Sequence, residues 1–144
     1  MQSGRMEKDM IIKQISVFVA NRQGRLAEIT DILAKNNISI RAVSISDTTD
    51  FGILRIIVDN PDNVVELLAE NNITASMTSV LSVGIEDTPG GLAKVLNVLA
   101  AESITVDYMY AYISIAHDRA FVILRVEEEE KAVEILKKHG YGNN

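Results

Sequence analysis

Apolar and polar residues alternate from the start of the ordered pattern: Ile15, Val17 and Val19 are set between Gln14, Ser16 and Phe18. Period two predicts a strand with a buried face. The period then lengthens, with Leu26, Ile29 and Leu33 at helical spacing and Ile32 beside them, and Asn36-Asn37 closes that helix. Ile38 to Ser46 predicts a second strand, whose apolar set changes phase between Ile40 and Val43, the mark of a bulge. Asp47-Thr48-Thr49-Asp50 is a turn cluster. Phe51 to Val58 is apolar on both faces, which predicts a central strand. Asn60 as cap and Pro61 at the first position open a second helix, expected to run to about Glu70 and to bury Val64, Leu67 and Leu68. Ile73 to Val80 predicts a fourth strand that leads on almost without a loop.

The same order then repeats. Leu81 to Ile85 predicts a strand, and Leu92, Val95, Leu96 and Leu99 mark a helix at i, i+3, i+4 and i+7. Ile104 to Ile115 and Ala120 to Val126 predict two strands, joined by a turn at His117-Asp118. A last helix starts in Glu127-Glu128-Glu129-Glu130 and ends in Lys137-Lys138-His139, each end matched to the helix dipole, with Gly140 as terminator. At an offset of 66, Asn21-Arg22-Gln23-Gly24-Arg25-Leu26-Ala27 falls on Asp87-Thr88-Pro89-Gly90-Gly91-Leu92-Ala93, and Asn37-Ile38-Ser39-Ile40 falls on Ser103-Ile104-Thr105-Val106. The chain is a duplication. Each copy reads βαββα(β), which predicts an α+β protein of two ferredoxin-like modules with antiparallel sheets, joined side by side. Residues 1–10 are expected to be a flexible tail, 11–78 the first module and 79–144 the second. The last strand of the second module is expected to be short or missing, leaving an edge for the other copy or another chain to cover.

Composition narrows the function. The chain has 144 residues and is 47% hydrophobic, room for two small modules that share an interface. There is no cysteine, so no disulfide, thiolate nucleophile or cysteine-bound metal is available. The net charge of −6, with scattered Lys and Arg, argues against a nucleic-acid partner. Met1 to Asp9 lacks the apolar core of a secretory signal, and no apolar run approaches membrane-spanning length. A cytoplasmic protein without a membrane partner is expected.

The candidate chemistry lies in the two glycine loops. Glycine lets backbone come close to a ligand, and the first N–H groups of a helix lack internal partners and sit at the positive end of its dipole. A small carboxylate fits there. The competing reading of Asp87-Thr88-Pro89 is a helix start with no ligand: a cap followed by a proline at the first position. Gly24 likewise suits a plain tight turn. Tyr108, Tyr110 and Tyr112 share a strand face with Ile104 and Val106, which predicts packing before ligand contact. His117 and His139 stand in no metal-ligand pattern; the first reads as a turn residue and the second as a helix-terminal cation. Arg22 and Arg25 read as solvated charges, and no catalytic triad or carboxylate pair is identifiable.

Asp87-Thr88-Pro89-Gly90-Gly91-Leu92-Ala93, between a strand and a helix, resembles the opening of the ACT domain, a small regulatory amino-acid-binding module. Glu102-Ser103-Ile104-Thr105-Val106 resembles that family's passage from its first helix to its second strand. The first copy keeps Gly24, Leu26 and Ala27 but has Gln23 where the family usually has proline. The resemblance covers nearly the whole chain and implies a stand-alone tandem ACT protein that is not an enzyme. It further implies side-by-side pairing and an amino acid bound at the seam. Residue by residue, the implied ligand site comprises Asp87, Gly90, Gly91 and Leu92 in the second copy and Asn21, Gly24 and Leu26 in the first. Asp87 or Asn21 would accept a hydrogen bond from the ligand ammonium. The implied function is allosteric: ligand favours one arrangement of the modules, which a metabolic enzyme or transporter reads. A homodimer is expected, with no cofactor and no metal. The alternative is a constitutive interaction module or regulatory subunit whose glycine loops are structural.

Overall fold

The computed structural model describes residues 10–20, 22–47, 51–113 and 119–142. The chain forms two compact units, one of residues 13–78 and one of residues 79 onward together with the chain start through Ile12. The predicted turns at 48–50 and at His117-Asp118 lie outside the described residues, as does the tail at 1–9.

In the first unit, β1 (Ile11–Ala20), α1 (Arg25–Lys35), β2 (Ile40–Asp47), β3 (Phe51–Val58) and α2 (Val64–Glu70) follow in order, and β4 (Ala75–Glu86) begins there. β3 lies between β2 and β1, antiparallel to both, with Val17 opposite Leu54 and Ile45 opposite Leu54. The expected bulge is present as a register shift between Ile40 and Ala42. The opening of β4 lies beside β1, where the Phe18 N–H donates to the Thr74 carbonyl at 3.0 Å. Alternation sends Ile15, Val17, Val19, Leu54, Ile56 and Val58 to the helix side, where they meet Ile29 and Leu33 of α1 and Val64 and Leu68 of α2. Leu26, predicted for this apolar stripe, is instead 43% exposed, in the first turn of α1.

The second unit repeats the plan with α3 (Gly91–Ala101), β5 (Tyr108–Ala111), β6 (Arg119–Arg125) and α4 (Glu129–Lys138). β6 pairs antiparallel with both β4 and β5. The two strands predicted at 73–80 and 81–85 are one continuous strand, β4. The strand predicted from Ile104 is shorter, because the chain leaves α3 through Ser103 at φ 60° and only straightens at Tyr108. Ile104 and Val106 turn into the helix-side core, while Tyr110 stands opposite Ile123 on the other sheet face, so the tyrosines do not share a face with them. Tyr112 packs on Phe121 with ring centroids 5.7 Å apart and shares a 3.0 Å hydrogen bond with Ser82.

The core of this unit also draws on the far end of the sequence. Met10, expected in a flexible tail, is 2% exposed and joins Leu81, Val83, Leu99, Leu124 and Leu136 in the core, with Ile11 packed beside it. Hydrophobic burial of these side chains, not local propensity, fixes Met10 and Ile11 there.

All four helices of the described residues end in one motif. In α4 the Gly140 N–H donates to the Lys137 carbonyl and the Tyr141 N–H to the Leu136 carbonyl, a Schellman ending. Asn37, Asn72 and Ser103 take the place of Gly140 at positive φ in the other three.

Candidate functional site

Both predicted glycine loops form the same turn. In the first, the Arg25 N–H donates to the Arg22 carbonyl at 3.3 Å around Gly24, which lies at φ 83°, ψ −4°. In the second, the Gly91 N–H donates to the Thr88 carbonyl at 3.0 Å around Gly90, at φ 89°, ψ −7°. These are the angles of the third residue of a type II turn, which only glycine adopts without strain. Pro89 therefore sits in the turn and not at the first position of the helix, which begins two residues later. Gln23 fills the same turn position, so the missing proline of the first copy changes nothing in the path. Pro61 is displaced in the same way: its carbonyl accepts the Val64 N–H, Asn63 lies at φ 67°, and α2 starts only at Val64.

Neither α1 nor α3 carries a side-chain cap. Asp87 is exposed and makes no side-chain hydrogen bond or ion pair with the described residues, so it does not cap α3 as the competing sequence reading required. Leu92 is 38% exposed, matching Leu26 at the equivalent place. Asn21 lies outside the described residues.

Here the loops part company. In the first unit Arg25 is drawn down, its side chain only 13% exposed, and meets Glu28 at 3.1 Å. Its Nη2 donates to the Asn72 carbonyl at 3.4 Å, beyond the end of α2. Arg22 reaches the same Glu28 carboxylate at 3.1 Å. The hydrogen bond from Arg25, with both guanidinium charges, holds the Glu28 carboxyl below its ordinary value. The surface charges expected of Arg22 and Arg25 are thus a cluster that closes the corner between α1 and α2.

In the second unit the matching corner is open. Gly91 stands where Arg25 stands, at the offset of 66, and Lys94 where Glu28 stands. Gly91 lies so close to the end of β4 that a Cβ would drive into the Glu86 carbonyl oxygen. A groove of about 480 Å³ is left between the end of β4, the start of α3 and the end of α4, bordered by Glu86, Thr88, Gly91, Lys94, His139 and Gly140, among others. The His139 Nδ1 lies 3.0 Å from the Ile135 carbonyl, which requires Nδ1 to carry the proton. Burial, aided by the Glu86 charge, pushes the Tyr141 hydroxyl above its ordinary value. Sequence reasoning singled out Gly91 here but missed Lys94, Glu86 and the α4 end. The available signal was the exchange of Arg25 and Glu28 for Gly91 and Lys94 between otherwise matching loops.

Residues 10–142 match the family model of the ACT domain pair. The chain belongs to that family. The pair resembles the crystal structure of protein BT0572 from Bacteroides thetaiotaomicron, at 39% identity and a TM-score of 0.85 over 92% of this chain and 90% of that one. It shares its fold with the ligand-free regulatory subunit of aspartate kinase from Thermus thermophilus, at 20% identity and a TM-score of 0.64 over 92% and 95% of the two chains. The regulatory subunit of aspartate kinase from Thermus flavus has the same fold, at 18% identity and a TM-score of 0.59 over 90% and 95%. No curated protein matches the chain. Among the described residues no three His, Asp or Glu side chains gather to hold a metal ion, and no helix is long and apolar enough to cross a membrane.

Proposed function

We propose that this ACT domain pair is a non-catalytic regulatory protein that binds a small amino acid at its glycine loops and passes the ligand state to a partner enzyme. One observation carries the reading: the same type II turn, at Gly24 and at Gly90, opens a helix that no side chain caps. The turn leaves backbone N–H groups available to a ligand carboxylate. Asp87, exposed and unpaired among the described residues, suits the ligand ammonium in a charge-assisted hydrogen bond. The family's regulatory character and the fold shared with regulatory subunits of aspartate kinase support a metabolic enzyme as the partner.

A thermal-shift screen against the twenty amino acids at millimolar concentration tests this. A ligand that binds only folded protein stabilises it by about 2.7 kcal/mol at a hundred times Kd. One or two amino acids are expected to raise the melting temperature, and Asp87→Ala is expected to weaken that response without lowering the melting temperature of the free protein. No shift with any amino acid would replace this reading by a constitutive regulatory subunit, whose mark is a stable enzyme complex indifferent to amino acids.

A further inference from the structure

In the first unit the apolar rows of the sheet run past the core to an uncovered edge. Ile15 lies opposite Ile56, which lies opposite Val43; Val17 lies opposite Leu54, which lies opposite Ile45. Ile15, Val17, Leu54 and Ile56 are buried with α1 and α2, yet Val43 and Ile45, at the end of the same rows, are 42% and 50% exposed. Among the described residues β2 pairs with β3 alone, so its other side offers backbone N–H and C=O groups to any strand that comes alongside. Edges are usually protected by shortness, proline or lysine. β2 is 8 residues long, holds no proline or lysine, and ends two aliphatic rows. β5, the edge strand of the second unit, is the contrast: it has 4 residues and exposes no large apolar side chain.

The pattern of β2 is complementary to itself. A twofold axis normal to the sheet keeps the helix side of both copies on one side, so an antiparallel pair of β2 strands must be centred on a residue. Centred on Val43 or on Ile45, one aliphatic side chain meets its own copy and the other has no apolar partner. Centred on Ser44, Val43 of each copy lies opposite Ile45 of the other. The row then runs without a break through Val17, Leu54 and Ile45 into Val43, Ile56 and Ile15 of the second copy. The same register sets the two Arg41 residues at opposite ends of the pairing, where they do not repel. An unrelated strand would have to reproduce this alternation; a second copy of the chain already has it.

We propose that two copies of this chain join through β2, antiparallel about Ser44, so that the sheets of the two first units become continuous. The interface is isologous, uses the same edge of each copy and closes at two chains. It needs no ligand, and its failure would leave the regulatory reading standing.

Sedimentation equilibrium of the full chain at micromolar concentration is the test, with twice the chain mass expected. Val43→Lys and Ile45→Lys should each raise the dimer dissociation constant about tenfold or more. Both positions are exposed, and circular dichroism checks that the variants fold. Ser44→Cys gives a second readout that does not weaken the edge. On the axis this residue meets its own copy at a Cα separation of about 4.5–5.5 Å, within disulfide range, and the chain has no other cysteine. Mild oxidation should therefore yield a covalent dimer, while Ala111→Cys in β5 stays a single chain on a denaturing gel. A monomeric parent, a dimer unchanged by both lysine variants, or a crosslink at Ala111 in place of Ser44 would overturn the proposal.

Discussion

The first unit closes the corner beside its glycine turn with Arg25 and Glu28; the second leaves the same corner open beside Gly91 and Lys94. The backbone turns agree within 6° at their glycines, yet the side chains around them have opposite consequences. A turn repeated by duplication therefore does not imply a site repeated by duplication. Conformation is held by the φ requirement of one residue, whereas ligand chemistry depends on neighbours that are free to diverge. A second contrast concerns the cores. The first unit's core is built from its own stretch of sequence, whereas the second also takes in Met10 and Ile11 from far back in the chain.

The sharpest way to break that second contrast is Met10→Ala. Met10 is 2% exposed in the second core, and truncation of a buried methionine costs about 2–5 kcal/mol. Denaturant unfolding measures the loss, and hydrogen exchange locates it: protection should fall in β4, β6 and α4 more than in β2 and β3. A loss below about 1 kcal/mol would mean that Met10 is not part of the second unit's cooperative core.

The helix starts come next. Gly91→Ala forces a Cβ into the Glu86 carbonyl, an overpacking worth about 3 kcal/mol, whereas Gly24→Ala and Gly90→Ala meet open space and bear only the strain of positive φ, about 1–2 kcal/mol each. Equal losses at all three would show that α3 does not approach β4 more closely than its turn demands. Arg25→Ala is smaller, about 1 kcal/mol: the side chain gives up packing, one carbonyl contact and a solvent-screened ion pair with Glu28, but its Nε is buried without a partner among the described residues and gains by leaving.

These positions also show how much the sequence could disclose. Strand and helix order was legible because the apolar period switches between two and 3.6 with few interruptions, and the bulge at Ile40 was legible because the phase slips there. The duplication was legible in Gly24 and Gly90. The helix starts at Val64 and Gly91 were not, because Asn60-Pro61 and Thr88-Pro89 look like caps when they are turns, and only the hydrogen bonds to the Pro61 and Thr88 carbonyls separate the two. The role of Met10 was not legible either, since its burial depends on contacts made more than seventy residues away. The groove was hidden for the same reason: it joins Lys94 to the end of α4, and no local pattern couples them.

Acid titration separates the two units by sign and gives the smallest effect. Glu28 in the first unit is held below its ordinary value of 4.5 by Arg25 and Arg22, so its folded pKa is depressed. The stability it contributes is present above the unfolded value and is lost as pH falls through the folded one. Glu129 in the second unit is raised above 4.5 by burial, against the opposing charge of Arg125, and its Oε2 is buried without a partner among the described residues. Its contribution is therefore greatest at pH below the unfolded value and lost as pH rises through the folded one. Melting curves of Glu28→Gln and Glu129→Gln from pH 3 to pH 7 should diverge in opposite directions: the first variant falls behind the parent toward neutral pH, and the second gains on it. Both variants should converge on the parent in acid, where all three carry a neutral group at the position concerned. Parallel shifts across the whole range would mean that each side chain acts through packing and not through its charge.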